Sequence, residues 1–383
     1  MRIGIDARFF GSIGKGLGRY TQKLIESLEK ISAQGGSSFG WENSHQYFIF
    51  LRKENWDEYH PQSKHFTKVM ADVPWYTLRE QIQMPKILEK CGLDLVHFPH
   101  FNIPVSYKGR FIVTIHDLIL FQYPTSKAST LSAPAYFLKK KAYHQVINRA
   151  IKNSERIIAV SEHTKEDILK NFKINPKKVL VTYEGVDTIE KPILENAETV
   201  LKKYGIMKPY ILYVGNAYPH KNLDRLISAF KRVVKKHPGL SLVLAGKENY
   251  FYKRLKKSVI EGEVSSVVFP DHIDEDHLPT IYREAKLYVF PSLYEGFGLP
   301  PLEAMARNIP VASSNASCLP EILGEAAFFF DPRGISETSE AIEKVLTDND
   351  LRKKLIEAGK KQIRKYSWEK MAKETLEIYK SCG

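Results

Sequence analysis

The segment FPSLYEGFGLPPLEAMA, residues 290–306, carries two carboxylates at a spacing written E-x7-E, with two glycines between them. Glu295 and Glu303 can accept hydrogen bonds from hydroxyls at two ends of a sugar-bearing ligand. Gly296 and Gly298 lie at a strand-to-helix turn, where glycines let backbone N–H groups approach a ligand and the helix N-terminus favours anions. The pattern predicts a site for an anionic sugar compound. The alternative is a tight turn before a surface helix.

A second glycine-rich turn follows the first predicted strand, RIGIDARFF. Gly14, Gly16 and Gly18 precede a predicted helix, so the amides of Gly16 and Leu17 could reach a phosphate. A simple turn is the alternative, because three glycines at this spacing occur in many loops.

Three polar residues follow later strands of the same half of the chain. His116 ends the strand FIVTIHD, where a ligand would lie, although a structural histidine is the alternative. Ser161 and His163 are placed similarly after RIIAVS, but SEHT is also typical of a helix N-cap.

Asp274, Glu275 and Asp276 match the D-x-D pattern of metal-dependent transferases. Because D-E-D-H-L lies directly before a predicted helix, N-capping and the helix dipole explain these acids better. We expect neither a metal nor another cofactor. The metal-ligating and phosphate-loop patterns H-E-x-x-H and G-K-[ST] do not occur in the sequence.

The elements that must position these residues are short apolar strands alternating with amphipathic helices. Strands that are apolar throughout and separated by helices predict parallel sheets covered on both faces. The alternation restarts after a polar stretch near residues 188–199. We therefore predict an α/β protein of two Rossmann-like, doubly wound domains facing a cleft. The predicted bounds are 1–190 with the helix 366–383, and 191–365.

Composition narrows the class of protein. Lys and Arg total 57 against 44 Asp and Glu, and this net charge of +13 favours an anionic partner. Three scattered cysteines predict no disulfide framework and a reducing compartment. Because no secretory or membrane-spanning segment is indicated, we expect a cytoplasmic protein, soluble or peripheral on the inner face of the membrane.

The basic excess is concentrated in residues 118–154, which contain no Asp or Glu and interleave lysines with aromatic residues. Such a segment suits an anionic membrane surface or a lipid diphosphate. An ordinary solvated helix face is an equal alternative. No nucleic-acid motif is present, so we do not expect nucleic acid as a partner.

Six segments, in order, resemble the retaining, nucleotide-sugar-dependent glycosyltransferases of family 4, which have the GT-B fold. In addition to E-x7-E they are GKGLGRY, TIHD, AVSEHTKEDI, YVGNAYPHKNLDRLI, HIDEDHLPTIY and WEKMAKETLEIY. The last resembles a C-terminal helix that crosses back to the first domain.

The resemblance implies a role for each matching residue. Glu303 would bind the ribose hydroxyls, Glu295 would lie near the transferred sugar, and Lys221 would pair with the diphosphate. His116 would contact the donor sugar rather than act as a base. The turn before Glu303 would supply further donor contacts through Phe297, Gly298 and Leu299. The base-facing loop would supply Ile273.

One departure concerns the phosphate site. The family usually has Arg near Asn216, and asparagine carries no charge. His220, next to Lys221, is the candidate for the missing positive charge.

The resemblance implies transfer of a sugar, with retention of anomeric configuration, from a nucleotide diphosphate to a hydroxyl of a glycan or lipid-linked acceptor. It also implies that the donor lies mainly on the second domain and the acceptor on the first. The similarity is greatest to mannosyltransferases of surface-polysaccharide synthesis, which favours GDP-mannose. UDP-sugars and dTDP-rhamnose are the alternatives. A sugar-nucleotide epimerase and a non-catalytic polyanion-binding protein are rivals from other classes.

Overall fold

The computed structural model describes residues 1–33, 45–123, 133–187, 195–262, 264 and 266–383. The chain divides into two compact units. The first contains residues 1–118, 129–185 and 367–383, and the second contains 119–128 and 186–366. The chain therefore changes unit four times, after residues 118, 128, 185 and 366.

The first unit is built on a seven-stranded parallel sheet in the order β3-β2-β1-β4-β5-β6-β7. The strands are β1 (Arg2–Asp6), β2 (Gln46–Leu51), β3 (Phe66–Met70), β4 (Leu95–Phe98), β5 (Phe111–Ile115), β6 (Ile157–Ala159) and β7 (Val179–Val181). Strands β4, β5 and β6 are buried along their whole length. This is why they are apolar at every position but the polar His97 and Thr114.

Helices cover the faces of this sheet. They are α1 (Lys15–Ala33), α2 (Leu78–Lys90), α4 (Ala133–Asn153), α5 (Glu162–Asn171) and α14 (Trp368–Lys380). The C-terminal helix α14 packs on α1. It buries Met371, Leu376 and Tyr379, and the Tyr379 hydroxyl lies 2.7 Å from His97 Nδ1. The C-terminal helix thus belongs to the first unit, as the resemblance implied.

The second unit contains a six-stranded parallel sheet in the order β10-β9-β8-β11-β12-β13. The strands are β8 (Tyr210–Val214), β9 (Ser241–Ala245), β10 (Val267–Val268), β11 (Leu287–Phe290), β12 (Val311–Ser314) and β13 (Ala327–Phe330). The helices are α3 (Ile119–Gln122), α6 (Ala197–Lys203), α7 (Leu223–Lys236), α8 (Tyr250–Glu261), α9 (Leu278–Arg283), α10 (Leu299–Ala306), α11 (Leu319–Leu323), α12 (Ile335–Thr347) and α13 (Asn349–Gln362).

Each sheet has one point where the strand order reverses. It lies between β1 and β4 in the first unit and between β8 and β11 in the second. Connections from two such strands leave in opposite directions, which opens a crevice at their carboxyl ends, and ligands of doubly wound folds bind there. The loops after these four strands are therefore the first places to look for a site.

Candidate functional site

The reversal point of the second unit carries a shielded ion pair. Lys221 ends a short 3-10 turn after β8, and Glu295 follows β11. Lys221 Nζ lies 2.6 Å from Glu295 Oε1, and the two side chains are only 14% and 11% exposed. The Leu293 N–H also donates to the His220 carbonyl at 2.7 Å. The two predicted site residues are thus brought together from 74 positions apart in the sequence.

Three buried tyrosines fix the turn that follows β8. Their hydroxyls donate to three successive backbone carbonyls: Tyr288 to Val214 at 3.2 Å, Tyr252 to Gly215 at 2.8 Å and Tyr213 to Asn216 at 2.7 Å. Burial raises the pKa of all three phenols, so they remain hydrogen-bond donors at neutral pH. With its carbonyls held in this way, the turn is a rigid support for the loop that ends in Lys221.

Neither Asn216, where the family usually has arginine, nor the candidate His220 is cationic. Asn216 Oδ1 accepts from the Tyr218 N–H at 3.3 Å, which makes it part of the turn. Burial, with the neighbouring Lys221 charge, lowers the pKa of His220 to about 4. Its imidazole is therefore neutral at pH 7, and the idea that it supplies a second positive charge is wrong for this structure.

The glycine turn before α10 has the geometry of an anion site. Gly298 is the N-cap residue with φ 95°, in the left-handed region, and a Cβ there would lie 2.8 Å from Leu319 Cδ2. Glycine is thus required for both conformation and space. The helix that starts at Leu299 has no acidic residue in its first turn. Phe297 is buried against Tyr366 and anchors the turn rather than lining open space.

Glu303 lies one turn into α10 and is half-buried. The Tyr282 hydroxyl donates to its Oε2 at 3.2 Å. Arg307, whose guanidinium lies over the Tyr282 ring, donates to the Glu303 carbonyl at 2.8 Å. Burial and the Glu303 charge raise the pKa of Tyr282, so its hydroxyl keeps its proton and orients the carboxylate.

The loop around Ile273 is held by polar contacts to other parts of the second unit. Asp274 pairs with Lys203 at 2.9 Å, and His277 Nε2 lies 3.0 Å from Glu195 Oε1. Ile273, directly before Asp274, is half-buried. Across the residues that the structure describes, no group of three or more His, Cys, Asp or Glu side chains is arranged to hold a metal ion.

In the first unit, the glycine-rich turn is already part of a helix. Helix α1 begins at Lys15, so Gly16 and Leu17 lie in its first turn instead of before it. A Cβ on Gly18 would lie 2.1 Å from the Gly11 carbonyl oxygen, whereas a Cβ on Gly16 would have no atom within 4 Å. Gly18 is needed for packing, and Gly16 leaves room beside first-turn amides that have no acceptor within the helix.

His116 is held at both ring nitrogens by the protein. Nδ1 lies 3.0 Å from Glu184 Oε1, and Nε2 lies 3.0 Å from the Pro99 carbonyl. Both partners accept, so both nitrogens carry protons. Burial alone lowers the pKa of His116, but the hydrogen bond and charge of Glu184 outweigh it and raise the pKa. A ligand can contact Nε2 only by replacing the Pro99 carbonyl.

Comparison with known proteins identifies the chain. Residues 41–190 match the family model described as Glycosyltransferase Family 4, and residues 197–362 match that of Glycosyl transferases group 1. An uncharacterized glycosyltransferase of Methanocaldococcus jannaschii is 30% identical over 298 residues, which are 76% of this chain and 74% of the relative. The chain belongs to the family 4 glycosyltransferases.

Two further comparisons concern a relative of this glycosyltransferase and its fold. The O-antigen chain mannosyltransferase B of Escherichia coli is 27% identical over 296 residues, 75% of this chain and 74% of that one. The Anabaena protein HepE, solved in complex with UDP and glucose, superposes with a TM-score of 0.73 at 15% identity and 99% coverage of both chains. The fold is therefore GT-B, as predicted.

The remaining predicted residues of the glycosyltransferase have local roles. Ser161 is the N-cap of α5, and its Oγ accepts from the Thr164 N–H at 3.1 Å. His163 Nε2 lies 3.6 Å from Asp167 on the same helix. Among the described residues, no helix is long and apolar enough to cross a membrane.

Sequence reasoning missed residues whose role depends on contacts distant in the chain. They are Glu184, the three tyrosines that donate to the turn after β8, and Ser317, whose Oγ accepts from the Glu295 N–H at 2.9 Å. No local pattern in the sequence marks them, since Glu184 lies three residues past the end of β7.

Proposed function

We propose that this glycosyltransferase moves mannose from GDP-mannose to a hydroxyl of a glycan or lipid-linked acceptor, retaining the anomeric configuration and using no divalent metal. The observation that carries the proposal is the Lys221–Glu295 pair at the reversal point of the second unit. The similarity to the E. coli O-antigen chain mannosyltransferase B supports the choice of sugar.

Lys221 of this ion pair supplies the positive charge that the reaction needs. A donor diphosphate competes with Glu295 for Lys221 Nζ, and the displaced carboxylate becomes available to accept from sugar hydroxyls. As the bond from the anomeric carbon to phosphate oxygen breaks, its electron pair passes to that oxygen, and a fixed cation stabilises the growing charge. The α10 N-terminus and the Gly298 turn add backbone N–H donors.

Retention requires the acceptor to attack from the face that the phosphate leaves. The acceptor oxygen forms its bond to the anomeric carbon, and its proton passes to the departing phosphate oxygen. No protein base is then needed, which agrees with a doubly protonated His116. Lys221, helix N-termini and backbone amides would do the work that a divalent ion does in metal-dependent transferases.

Calorimetric titration with GDP, UDP, ADP and dTDP, with and without EDTA, tests the donor. We expect GDP to bind most tightly and EDTA to change nothing. Preference for UDP or dTDP would contradict GDP-mannose as the donor, and loss of binding in EDTA would contradict metal independence. NMR of the product from GDP-α-mannose tests retention, since an α-linked product is expected and a β-linked one would contradict it.

We also propose that residues 118–154 meet an anionic membrane surface on the cytoplasmic side. Residues 124–132 lie outside the described part of the chain. Within α4, Phe137 is 70% exposed and Lys141 is exposed. Co-sedimentation with vesicles containing phosphatidylglycerol tests this, with pure phosphatidylcholine vesicles as control. Equal binding to both would contradict it.

A further inference from the structure

The loop after β12 contacts the turn that carries Glu295 through two successive residues. Ser317 Oγ accepts from the Glu295 N–H at 2.9 Å, and the Cys318 thiol donates to the Phe297 carbonyl at 3.3 Å. The turn between these two points contains Gly296, and glycine restricts the backbone least of all residues. Contacts from outside the turn must therefore decide its conformation, and these two hydrogen bonds are such contacts.

Ser317 has a backbone conformation that serine rarely adopts. Its φ is 54°, in the left-handed region, which is costly for a residue with a Cβ. Strain of this kind persists only where the surroundings impose it, and it concentrates at functional sites. The loop is fixed to the sheet, because the Asn315 N–H donates to the Phe330 carbonyl of β13 at 3.0 Å. The strained conformation then brings the Ser317 hydroxyl oxygen to the Glu295 amide.

Cys318 is fully buried and keeps its proton. Burial, together with the charges of Glu295 and Glu321, raises the pKa of the thiol well above its ordinary value. The thiol is therefore a hydrogen-bond donor at neutral pH. A small apolar residue would fill the same space, but it would leave the Phe297 carbonyl without this donor. The thiol thus fixes a second point of the turn.

Helix α11, which begins directly after Cys318, is anchored to the end of α13 and the segment that follows it. The Gln362 side-chain amide and the Tyr366 hydroxyl both donate to the Ile322 carbonyl, at 2.7 and 2.8 Å. The Tyr366 ring also packs edge-on against Phe297, with ring centroids 5.4 Å apart. The loop and the turn that it contacts therefore share one support, so neither shifts without the other.

This arrangement matters for the transferred sugar more than for the nucleotide. Glu295 and the turn after it are the predicted contacts of that sugar, whereas Glu303 is the predicted contact of the ribose. Groups that face a reacting centre must be held to within about 0.5 Å of the productive geometry. On the assumption that the proposed transferase function is correct, we propose that Ser317 and Cys318 are positioning residues. They hold the Glu295–Phe297 backbone in the conformation that receives the transferred sugar.

Calorimetric titration of the full chain with GDP and with GDP-mannose tests the proposal. Ser317→Gly removes the hydroxyl and suits the left-handed conformation, so it separates the hydrogen bond from the strain. Cys318→Ala removes the thiol, and Cys318→Ser keeps a donor. Asn308→Gly is the matched control, because Asn308 is an exposed residue of the same unit with a left-handed φ of 57°.

We expect the dissociation constant of GDP-mannose to rise about tenfold in Ser317→Gly and Cys318→Ala, while that of GDP changes less than about threefold. Both ligands should bind Cys318→Ser and Asn308→Gly within about threefold of wild type. The melting temperature of Ser317→Gly should stay within about 3 °C of wild type, because relief of the strained φ offsets the lost hydrogen bond.

A role in stability alone would weaken GDP and GDP-mannose equally, and that result would overturn the proposal. Unchanged affinity for GDP-mannose in Ser317→Gly and Cys318→Ala would also overturn it. If Cys318→Ser bound GDP-mannose as weakly as Cys318→Ala, the thiol hydrogen bond would not be what positions the turn.

The wild-type titrations separate this proposal from the function on which it rests. Normal binding of both ligands by wild type, with no selective loss in the variants, would defeat the positioning role alone. Failure of wild type to bind any nucleotide would defeat the proposed transferase function. If wild type prefers another nucleotide, that nucleotide and its sugar conjugate replace GDP and GDP-mannose, with the same expected losses.

Discussion

The two units have the same strand order at their reversal points but different side chains there. In the second unit, Lys221 and Glu295 form an ion pair on a turn held by tyrosine hydroxyls. In the first unit, the same place holds the rings of Phe9 and Trp75, beside a buried network of charges around Arg8. One topology thus provides two crevices, and the loop residues decide what each can bind.

The difference follows from where each unit keeps its charges. The Lys221–Glu295 pair is shielded but within reach of solvent, so an anion can compete with the carboxylate for Lys221. The Arg8 network, in which the guanidinium pairs with Asp6 and Glu80, is fully buried and holds the backbone, so a ligand cannot exchange with it. The reversal point of the second unit therefore presents charged groups, and that of the first presents aromatic rings.

The largest effect should come from removing the cation. Lys221→Ala should lower kcat/KM about a thousandfold, because it removes the fixed charge opposite the departing phosphate. Leaving Glu295 shielded and unpaired should also lower the melting temperature. Steady-state kinetics and thermal unfolding measure the two effects.

The double variant Lys221→Ala/Glu295→Gln separates chemistry from stability. It should recover most of the melting temperature and none of the activity. If activity returned along with stability, the ion pair would be structural, and the contrast between the two reversal points would fail.

Glu303→Ala should have the next largest effect. It removes the carboxylate oriented by Tyr282 and should weaken nucleotide binding about 10- to 100-fold, since hydrogen bonds to charged groups are strong. Calorimetry with the preferred nucleotide measures this affinity. The affinity of Glu303→Gln should lie between that of Glu303→Ala and that of wild type. Unchanged affinity in Glu303→Ala would refute our assignment of the ribose site.

Glu184→Gln should change the pH dependence of stability in the first unit. Folding raises the pKa of His116, so the interaction stabilises the protein below the pKa of an unfolded histidine, about 6.5, and is lost as the pH rises through the folded value. The difference in free energy of unfolding between wild type and variant should therefore be larger at pH 6 than at pH 9. A constant difference would mean that Glu184 does not stabilise the protonated form of His116.

Tyr252→Phe should have the smallest effect. It removes one hydroxyl that donates to the Gly215 carbonyl and should cost about 1 kcal/mol of folding free energy. A small increase in the donor KM should accompany it, because the turn before Lys221 loses one of its supports. Tyr210→Phe, which removes a hydroxyl that donates to the Ile281 carbonyl in helix α9, is the control and should leave the KM unchanged.

Strand and helix patterns could be predicted where burial is one-sided or complete. The apolar run YILYV, the helix α7 and the proline-marked start of α10 follow from the sequence. Strands β3 and β13 were not predicted. FTKVM contains an exposed threonine and a half-buried lysine, so it lacks an apolar run, and AFFF is short and directly follows a 3-10 turn, so no break marks its start.

The candidate site was predictable as a set of residues but not as contacts. The E-x7-E spacing and its glycines carry local information, because one turn and one helix position them. The partner of Lys221, the neutral state of His220 and the Glu184 contact of His116 depend on loops far apart in sequence. A pattern in the chain does not encode burial, and burial sets the charge of these groups.

The sequence by itself determined the α/β class, the family and the turn that bears Glu295 and Glu303, because periodicity and local turn chemistry act over a few residues. Only the tertiary structure decided which residues share a reversal point, since parallel strands bring together loops that are tens of residues apart. It also decided protonation, because the pKa of a histidine depends on the carboxylates, cations and apolar surface that folding places around it.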